Sequence, residues 1–244
     1  MTEVQFFLIG FAGTFIGTLA GGGGLISMPS LLMLGIPIHT VIATNKFSNT
    51  FSSFSSFYVL LKQKQINLKT VLVLSPIGLA GGITGSFITK SISESLMTII
   101  ALFLLFFALI ISFLKKPKEE MTMNTKLPVR MHPIIFGIGV YDGMFGPGQA
   151  TLQMYTYLNH GFSFMKAMAL TRFLTFLSCL GAAASYFVSG LIDWKLAIFL
   201  TTGSILGAQL SVRFAYKLKN THLKIILRVI TVLLILQLGY SILV

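Results

Sequence analysis

Apolar stretches close to 20 residues long recur along the chain at 39–61, 69–89, 95–114, 166–188, 196–215 and 224–243. Each is long enough to cross roughly 30 Å of hydrocarbon as an α-helix. The first 37 residues are patterned differently. Residues 4–20 and 25–37 are also apolar, but Gly21 to Gly24 separate them. At 1.5 Å per residue these two arms reach about 24 and 20 Å, marginal for a crossing, with the glycines as the bend. This predicts a hairpin of short helices followed by long spanning ones.

The pattern is written twice. A shift of 126 positions places Gly13 on Gly139, Gly17 on Gly143, Gly22 on Gly148, Met28 on Met154 and Gly35 on Gly161. Without a gap it continues through Ala43 on Ala169, Lys46 on Arg172, Phe47 on Phe173, Ser52 on Ser178, Ile66 on Ile192, Lys69 on Lys195 and Gly81 on Gly207. Similarity among apolar helices alone seldom aligns glycines and a buried cation in register. The chain therefore divides into a first repeat, 1–115, a polar linker, 116–132, and a second repeat, 133–244. The glycine stretch has its counterpart in "DGMFGPGQATLQ", residues 142–153. Because the first segment has a copy later in the chain, and carries Glu3 but no Lys or Arg, it is taken as part of the fold and not as a cleaved leader.

Composition names the surroundings. Hydrophobic residues make up 55% and charged residues only 10%, against about 25% charged in a soluble domain. The 18 Lys and Arg exceed the 6 Asp and Glu, for a net charge of +12. In a soluble chain that excess would suggest nucleic acid, but here the cations sit mostly in loops, as cytoplasmic connections of a membrane protein do. Lys115, Lys116, Lys118, Lys126 and Arg130 place the linker in the cytoplasm, and Lys62, Lys64 and Lys69 place the loop after residue 61 there too. The loop of Lys90 and Glu94 then lies outside, whereas its counterpart in the second repeat, with Lys217, Lys219 and Lys224, is basic and lies inside. That requires the second repeat to be inverted. Inversion needs an odd number of crossings per repeat, so each glycine-broken segment must be re-entrant or a broken-helix hairpin beside three transmembrane helices. The fold class expected is an all-α, multi-pass integral membrane protein of two inverted repeats, with the lipid bilayer and not nucleic acid as its macromolecular surroundings.

Non-helical backbone at membrane depth is tolerated where protein buries it or where it lines a watered cavity. Interrupted helices direct free N–H groups and the positive ends of their dipoles at such cavities, which suits an anion. Gly22, Gly23 and Gly24 in the first repeat, and Gly148 and Gln149 in the second, are the candidate backbone donors, with Ser27, Gln149, Thr151 and Gln153 as side-chain additions. Lys46 and Arg172 are the sharper clue. Each lies well inside an apolar stretch, where a cation costs roughly 2.5–3.5 kcal/mol. An anionic substrate would offset that cost; the alternatives are that both snorkel to the interface or that Asp142 neutralises one of them. Asp142 stands as a coupling proton carrier or as the ion-pair partner of a nearby Arg. Asn45, Asn49 and Thr171 could supply polar contacts to the same site or hold helices together.

Gly13 with Gly17, Gly78 with Gly82, Gly81 with Gly85, and Gly203 with Gly207 and Ser211 read as small-residue faces for close helix packing, within one chain or in a homo-oligomer. Tyr58, Tyr186 and Trp194 read as interface aromatics, and His39 and His160 as interfacial. A lone cysteine, Cys179, builds neither a disulfide nor a two-cysteine metal site. With no metal-ligand motif and no paired intramembrane aspartates, no cofactor is implied and an enzyme is disfavoured.

"GTLAGGGGLISMPSLLMLGIP", followed by "ATNKFSNTFSS", resembles the N-terminal signature of the sulfite exporter TauE/SafE family, and "GVYDGMFGPGQ" resembles its second-half signature. The resemblance covers nearly the whole chain. It implies a plasma-membrane carrier, usually an exporter, of small sulfur-containing anions such as sulfite or organosulfonates. Arg172 stands where the family commonly shows lysine, "FLTFLSC" where asparagines like those of "KFSNT" are expected, and Gln149 where a smaller residue is usual, so the two halves of the site are less symmetric here. The function expected is transport by alternating access around a midplane site; the alternative is an anion channel of the same architecture.

Overall fold

The computed structural model describes residues 3–20, 23–66, 71–101, 103 and 128–217, and among these the chain is all-helical. We number the helices α1 (Glu3–Ala20), α2 (Gly24–Met33), α3 (Ile38–Lys62), α4 (Ser75–Lys90), α5 (His132–Met144), α6 (Gln149–Asn159), α7 (Phe164–Val188) and α8 (Trp194–Lys217). Residues 94–101 are also helical, and a single 3-10 turn, Val129–Met131, leads into α5. Three expected stretches are thus helices at the expected places: α3, α7 and α8. The stretch 69–89 is shorter than expected, because a turn at 73–74 precedes α4 and Pro76 sits in its first turn, a position proline suits. The stretch 95–114 is described only in its first part, and 224–243 and most of the linker lie outside the described residues.

Two of the described helices, Phe164–Val188 and Trp194–Ala215, are long and apolar enough to cross a membrane. α3 has the length, 25 residues, but its polar residues lie inside. Thr44, Asn45, Lys46, Ser48, Thr50, Ser52, Ser53 and Ser56 are all buried, while Phe51, Phe54 and Tyr58 on the same helix are exposed. Two of the buried hydroxyls return to carbonyls one turn back, Thr50 Oγ1 to Lys46 O at 2.8 Å and Ser56 Oγ to Ser52 O at 2.9 Å, and are satisfied within the helix. Large apolar side chains are exposed on the other helices too: Phe87 on α4, Phe187 on α7, and Ile198, Leu206 and Phe214 on α8. An exterior this apolar around an interior this polar is consistent with a membrane protein.

Side-chain register sets the directions of the helices. Gly203 and Gly207 of α8 lie against Phe7 and Phe11 of α1, and Ser211 Oγ donates to Phe15 O at 2.7 Å, so α1 and α8 run parallel. Ser48 with Ser204 at 2.9 Å and Ser55 with Gln209 at 2.9 Å make α3 parallel to α8. Ring pairs Phe57–Phe173 at 4.8 Å and Phe54–Phe176 at 5.2 Å make α7 antiparallel to α3. α4 carries glycines on two faces. Gly78 and Gly82 meet Leu177 and Ser178 of α7, and Gly81 and Gly85 meet Gly139, Val140 and Gly143 of α5, all three helices in parallel. A methyl group at Gly82 would land on the Ser178 carbonyl oxygen, so the small residues are what allow this approach. α1, α3 and α8 therefore point one way, and α4, α5 and α7 the other.

These directions gather charge at one end. The C-terminal ends of α3 and α8 and the N-terminal ends of α5 and α7 bring Lys62, Lys64, Arg130, Lys166, Arg213 and Lys217 to the same end. At the opposite end Glu3, Glu94 and Asp193 offset Lys90 and Lys195. Two apolar clusters lie on either side of the middle. Leu19, Leu60, Leu74, Met154, Tyr157 and Phe164 belong to the one toward the basic end, and Phe6, Met28, Leu31, Ile38, Phe145 and Tyr186 to the other. Tyr186 is thus a core residue and not an interface aromatic: it is fully buried and its hydroxyl donates to Gly143 O at 3.1 Å. Tyr58 and Trp194 are half-exposed.

Candidate functional site

α1 and α2 form a tight antiparallel hairpin, because Gly17 and Gly23 touch backbone to backbone and Gly13 faces Ser27. α2 has 10 residues and α6 has 11, about half the length a full crossing needs; the second arm of the first hairpin ends at Met33, short of the expected residue 37. Between α5 and α6 the chain turns through Gly146 and Gly148, at φ +101° and +81°, conformations that favour glycine. Tyr141 Oη donates to Pro147 O at 2.5 Å and holds that turn to α5. The two glycine breaks meet: a methyl group added to Gly24 would lie 3.0 Å from Pro147 Cα.

Where they meet, a cavity of about 50 Å³ opens among α1, α2, α3, α5, α6, α7 and α8, a few times the space that one water occupies. Gly23, Gly24, Asn45, Lys46, Asn49, Asp142, Gln149 and Arg172 all line it, together with Gly13, Gly17, Ser27, Gly146, Pro147, Thr175 and Ser204. Lys46 and Arg172 are 2% and 5% exposed, which excludes snorkelling.

Lys46 Nζ lies 2.7 Å from Asp142 Oδ1. The carboxylate's other oxygen accepts from Ser178 Oγ and, at 3.5 Å, from Cys179 Sγ. Asp142 thus neutralises one of the two cations, as one of the alternatives read from the sequence had it, and its partner is Lys46 rather than an arginine. Gly146 lies directly over the pair, where a Cβ would collide with Lys46 Nζ, and the missing side chain leaves room for the ammonium group. Arg172 forms no ion pair among the described residues. Its Nη2 donates to Gly17 O at 3.3 Å, and its buried Nε has no partner among the described residues. Gln149 Oε1 accepts from Thr175 Oγ1 at 3.2 Å, and Gln149 Nε2, also buried, is left without one. Asn49 donates to Asn45 at 2.7 Å and Asn45 to Ser27 Oγ at 2.9 Å, a chain that locks α2 to α3.

Some expected residues take other places. Gly148 does not line the cavity; it shapes the turn as the residue before α6. The Gln149 N–H is taken by Gly146 O at 2.9 Å, so only its side chain faces the cavity with a free donor. Thr171 is buried outside the lining, and Thr175, one turn further, stands in its place. Thr151 and Gln153 are outside the lining as well, and Gly22 lies outside the described residues. Sequence reasoning missed Thr175, Gly146 and Ser178. The shift of 126 that pairs Asn49 with position 175 could have found the first, and Ser178 was already paired with Ser52.

Among the described residues, fold and site define an all-helical protein, consistent with a membrane protein, with an internal cavity that holds buried charge. A family model described as sulfite exporter TauE/SafE matches residues 6–238, and the chain belongs to this family of membrane transporters. It is similar to "Probable membrane transporter protein ORF9" of Sinorhizobium sp, 30% identical over 239 residues that cover 95% of this chain and 90% of the relative. It is similar also to "Probable membrane transporter protein" of Haemophilus influenzae, 31% identical over 85% of this chain and 82% of the relative. A third relative is "Probable membrane transporter protein YfcA" of Escherichia coli K12, 26% identical over 86% of this chain and 79% of the relative. No solved structure matches the chain.

Proposed function

We propose that the chain is a plasma-membrane, multi-pass carrier that exports a small sulfur-containing anion, such as sulfite or an organosulfonate, by alternating access around the cavity. The observation that carries this reading is Arg172: a buried guanidinium that, among the described residues, has no carboxylate partner and an unpartnered Nε, in a cavity also lined by Gln149, whose buried Nε2 is unpartnered too. Buried donors without acceptors are costly. An oxyanion offers acceptors and the counter-charge together. The cavity's small volume suits a single tetrahedral or pyramidal group, and the membership of a family named for sulfite export supports the substrate class.

The architecture proposed is two inverted repeats, 1–115 and 133–244, joined by a cytoplasmic linker, 116–132. It is supported by the opposed directions of α1 and α5, of α3 and α7, and of α4 and α8, pairs that the 126-residue shift brings into correspondence. Substrate binding is assigned to Gly23, Gly24, Asn45, Lys46, Asn49, Gln149 and Arg172. The apolar clusters on either side of the cavity favour a carrier over a channel, which needs a continuous polar route.

Flux of sulfite and sulfonates into proteoliposomes tests the reading. Saturable flux with counterflow that disappears in Arg172→Ala is expected. Wild-type flux in a folded Lys46→Ala/Arg172→Ala double variant would exclude this site, and unsaturable flux at pore-like rates would favour the channel.

A further inference from the structure

Resting on the reading of the cavity as an anion site, we propose that it selects singly charged anions over doubly charged ones, and that Asp142 makes that selection. Among the described residues, three charged side chains line the cavity: Lys46, Asp142 and Arg172. The ammonium of Lys46 is engaged, 2.7 Å from Asp142 Oδ1, with both side chains buried. Asp142 is itself held in place. Ser178 Oγ and Cys179 Sγ bond its second oxygen, and the backbone at Gly146 closes over the pair. The pair is therefore neutral and fixed, and among the described residues that line the cavity the positive charge left to a ligand is that of Arg172.

Charge count then decides the ligand. A monoanion beside Arg172 leaves the cavity neutral. A dianion leaves one negative charge buried without a counter-charge, and the low polarisability of the surroundings penalises it. The hydrogen-bonding groups do not make this distinction, because Gln149 Nε2 and Arg172 Nε meet an oxygen in either case. If Asp142 were neutral, the freed Lys46 charge would match the dianion instead. The aspartate that neutralises one of two symmetry-related cations is thus a specificity-determining residue, and its counterpart position in the first repeat, Ile16, has no charge.

Methanesulfonate and sulfate test this, since each has a sulfur bearing three oxygens and they differ in a methyl group against a fourth, charged oxygen. Calorimetric titration of the full chain in nanodiscs at neutral pH is expected to show methanesulfonate bound about tenfold or more tighter than sulfate. In Asp142→Asn the order should reverse. In Lys46→Met/Asp142→Asn, which restores a single positive charge, methanesulfonate should again be preferred. Sulfate bound as tightly as methanesulfonate by the wild type would overturn the proposal even if Asp142→Asn does not fold, as would a preference in Asp142→Asn equal to that of the wild type. Binding of both anions unaffected by Arg172→Ala, or of neither anion by the wild type, would instead sink the anion-site reading on which the proposal rests.

Discussion

Lys46 and Asp142, 96 residues apart in sequence, lie 2.7 Å apart as a buried ion pair. The pair links the long helix of one half of the chain to the glycine break of the other. Arg172, the position that corresponds to Lys46, reaches back the opposite way to the carbonyl of Gly17 at 3.3 Å. The two cations therefore hold the two breaks in place reciprocally, and among the described residues Lys46 alone of the two meets a carboxylate.

Removing one member of the pair leaves a buried charge alone. Asp142→Asn and Lys46→Met are each expected to destabilise the fold by about 3–5 kcal/mol. Lys46→Met/Asp142→Asn, which removes both charges and keeps the volumes similar, should cost much less than the two single losses combined. Unfolding midpoints in a mild detergent check the ordering; a strictly additive double variant would mean the pair contributes no coupling.

Arg172 separates charge from geometry. Arg172→Ala should lower anion flux at least about tenfold, with the protein still folded. Arg172→Lys should recover part of it, because an ammonium supplies the charge but not the planar fork of donors. Flux in proteoliposomes reads both, and full activity in Arg172→Lys would show that the unpartnered Nε plays no part.

Two glycines should respond in opposite senses. Gly146→Ala puts a methyl group onto the Lys46 ammonium at a φ of +101°, so a loss of about 1–2 kcal/mol or more and weakened anion binding are expected. Gly137 lies within α5 with nothing within 4 Å of where a Cβ would be. Gly137→Ala should be neutral or stabilising by up to about 1 kcal/mol. Thermal unfolding of the two variants side by side makes the comparison.

Orientation has its own test. Lys62, Lys64, Arg130, Lys166, Arg213 and Lys217 share one end, which the positive-inside rule puts in the cytoplasm. In a Cys179→Ser background, Ser91→Cys should react with a membrane-impermeant maleimide added to intact cells, and Lys64→Cys should react only after the membrane is opened. Labelling of Lys64→Cys from outside would reverse the assignment.

The chain's own order of residues was enough for the features that depend on local composition. Helical stretches at α3, α7 and α8, the breaks at the glycine runs, the packing role of Gly78, Gly81, Gly82 and Gly85, and the participation of Lys46, Arg172, Asn45, Asn49 and Gln149 in one region were all legible, because burying a cation or breaking a helix in an apolar segment needs a local residue signal. Pairing was not legible. That Asp142 meets Lys46 and not Arg172, that Thr175 replaces Thr171, that the Gln149 N–H is used within its own turn, and that Tyr186 is core were decided by the tertiary structure. Each depends on the relative rotation and offset of helices distant in sequence, which shift a side chain's reach by several ångströms while the pattern of apolar and polar residues stays the same.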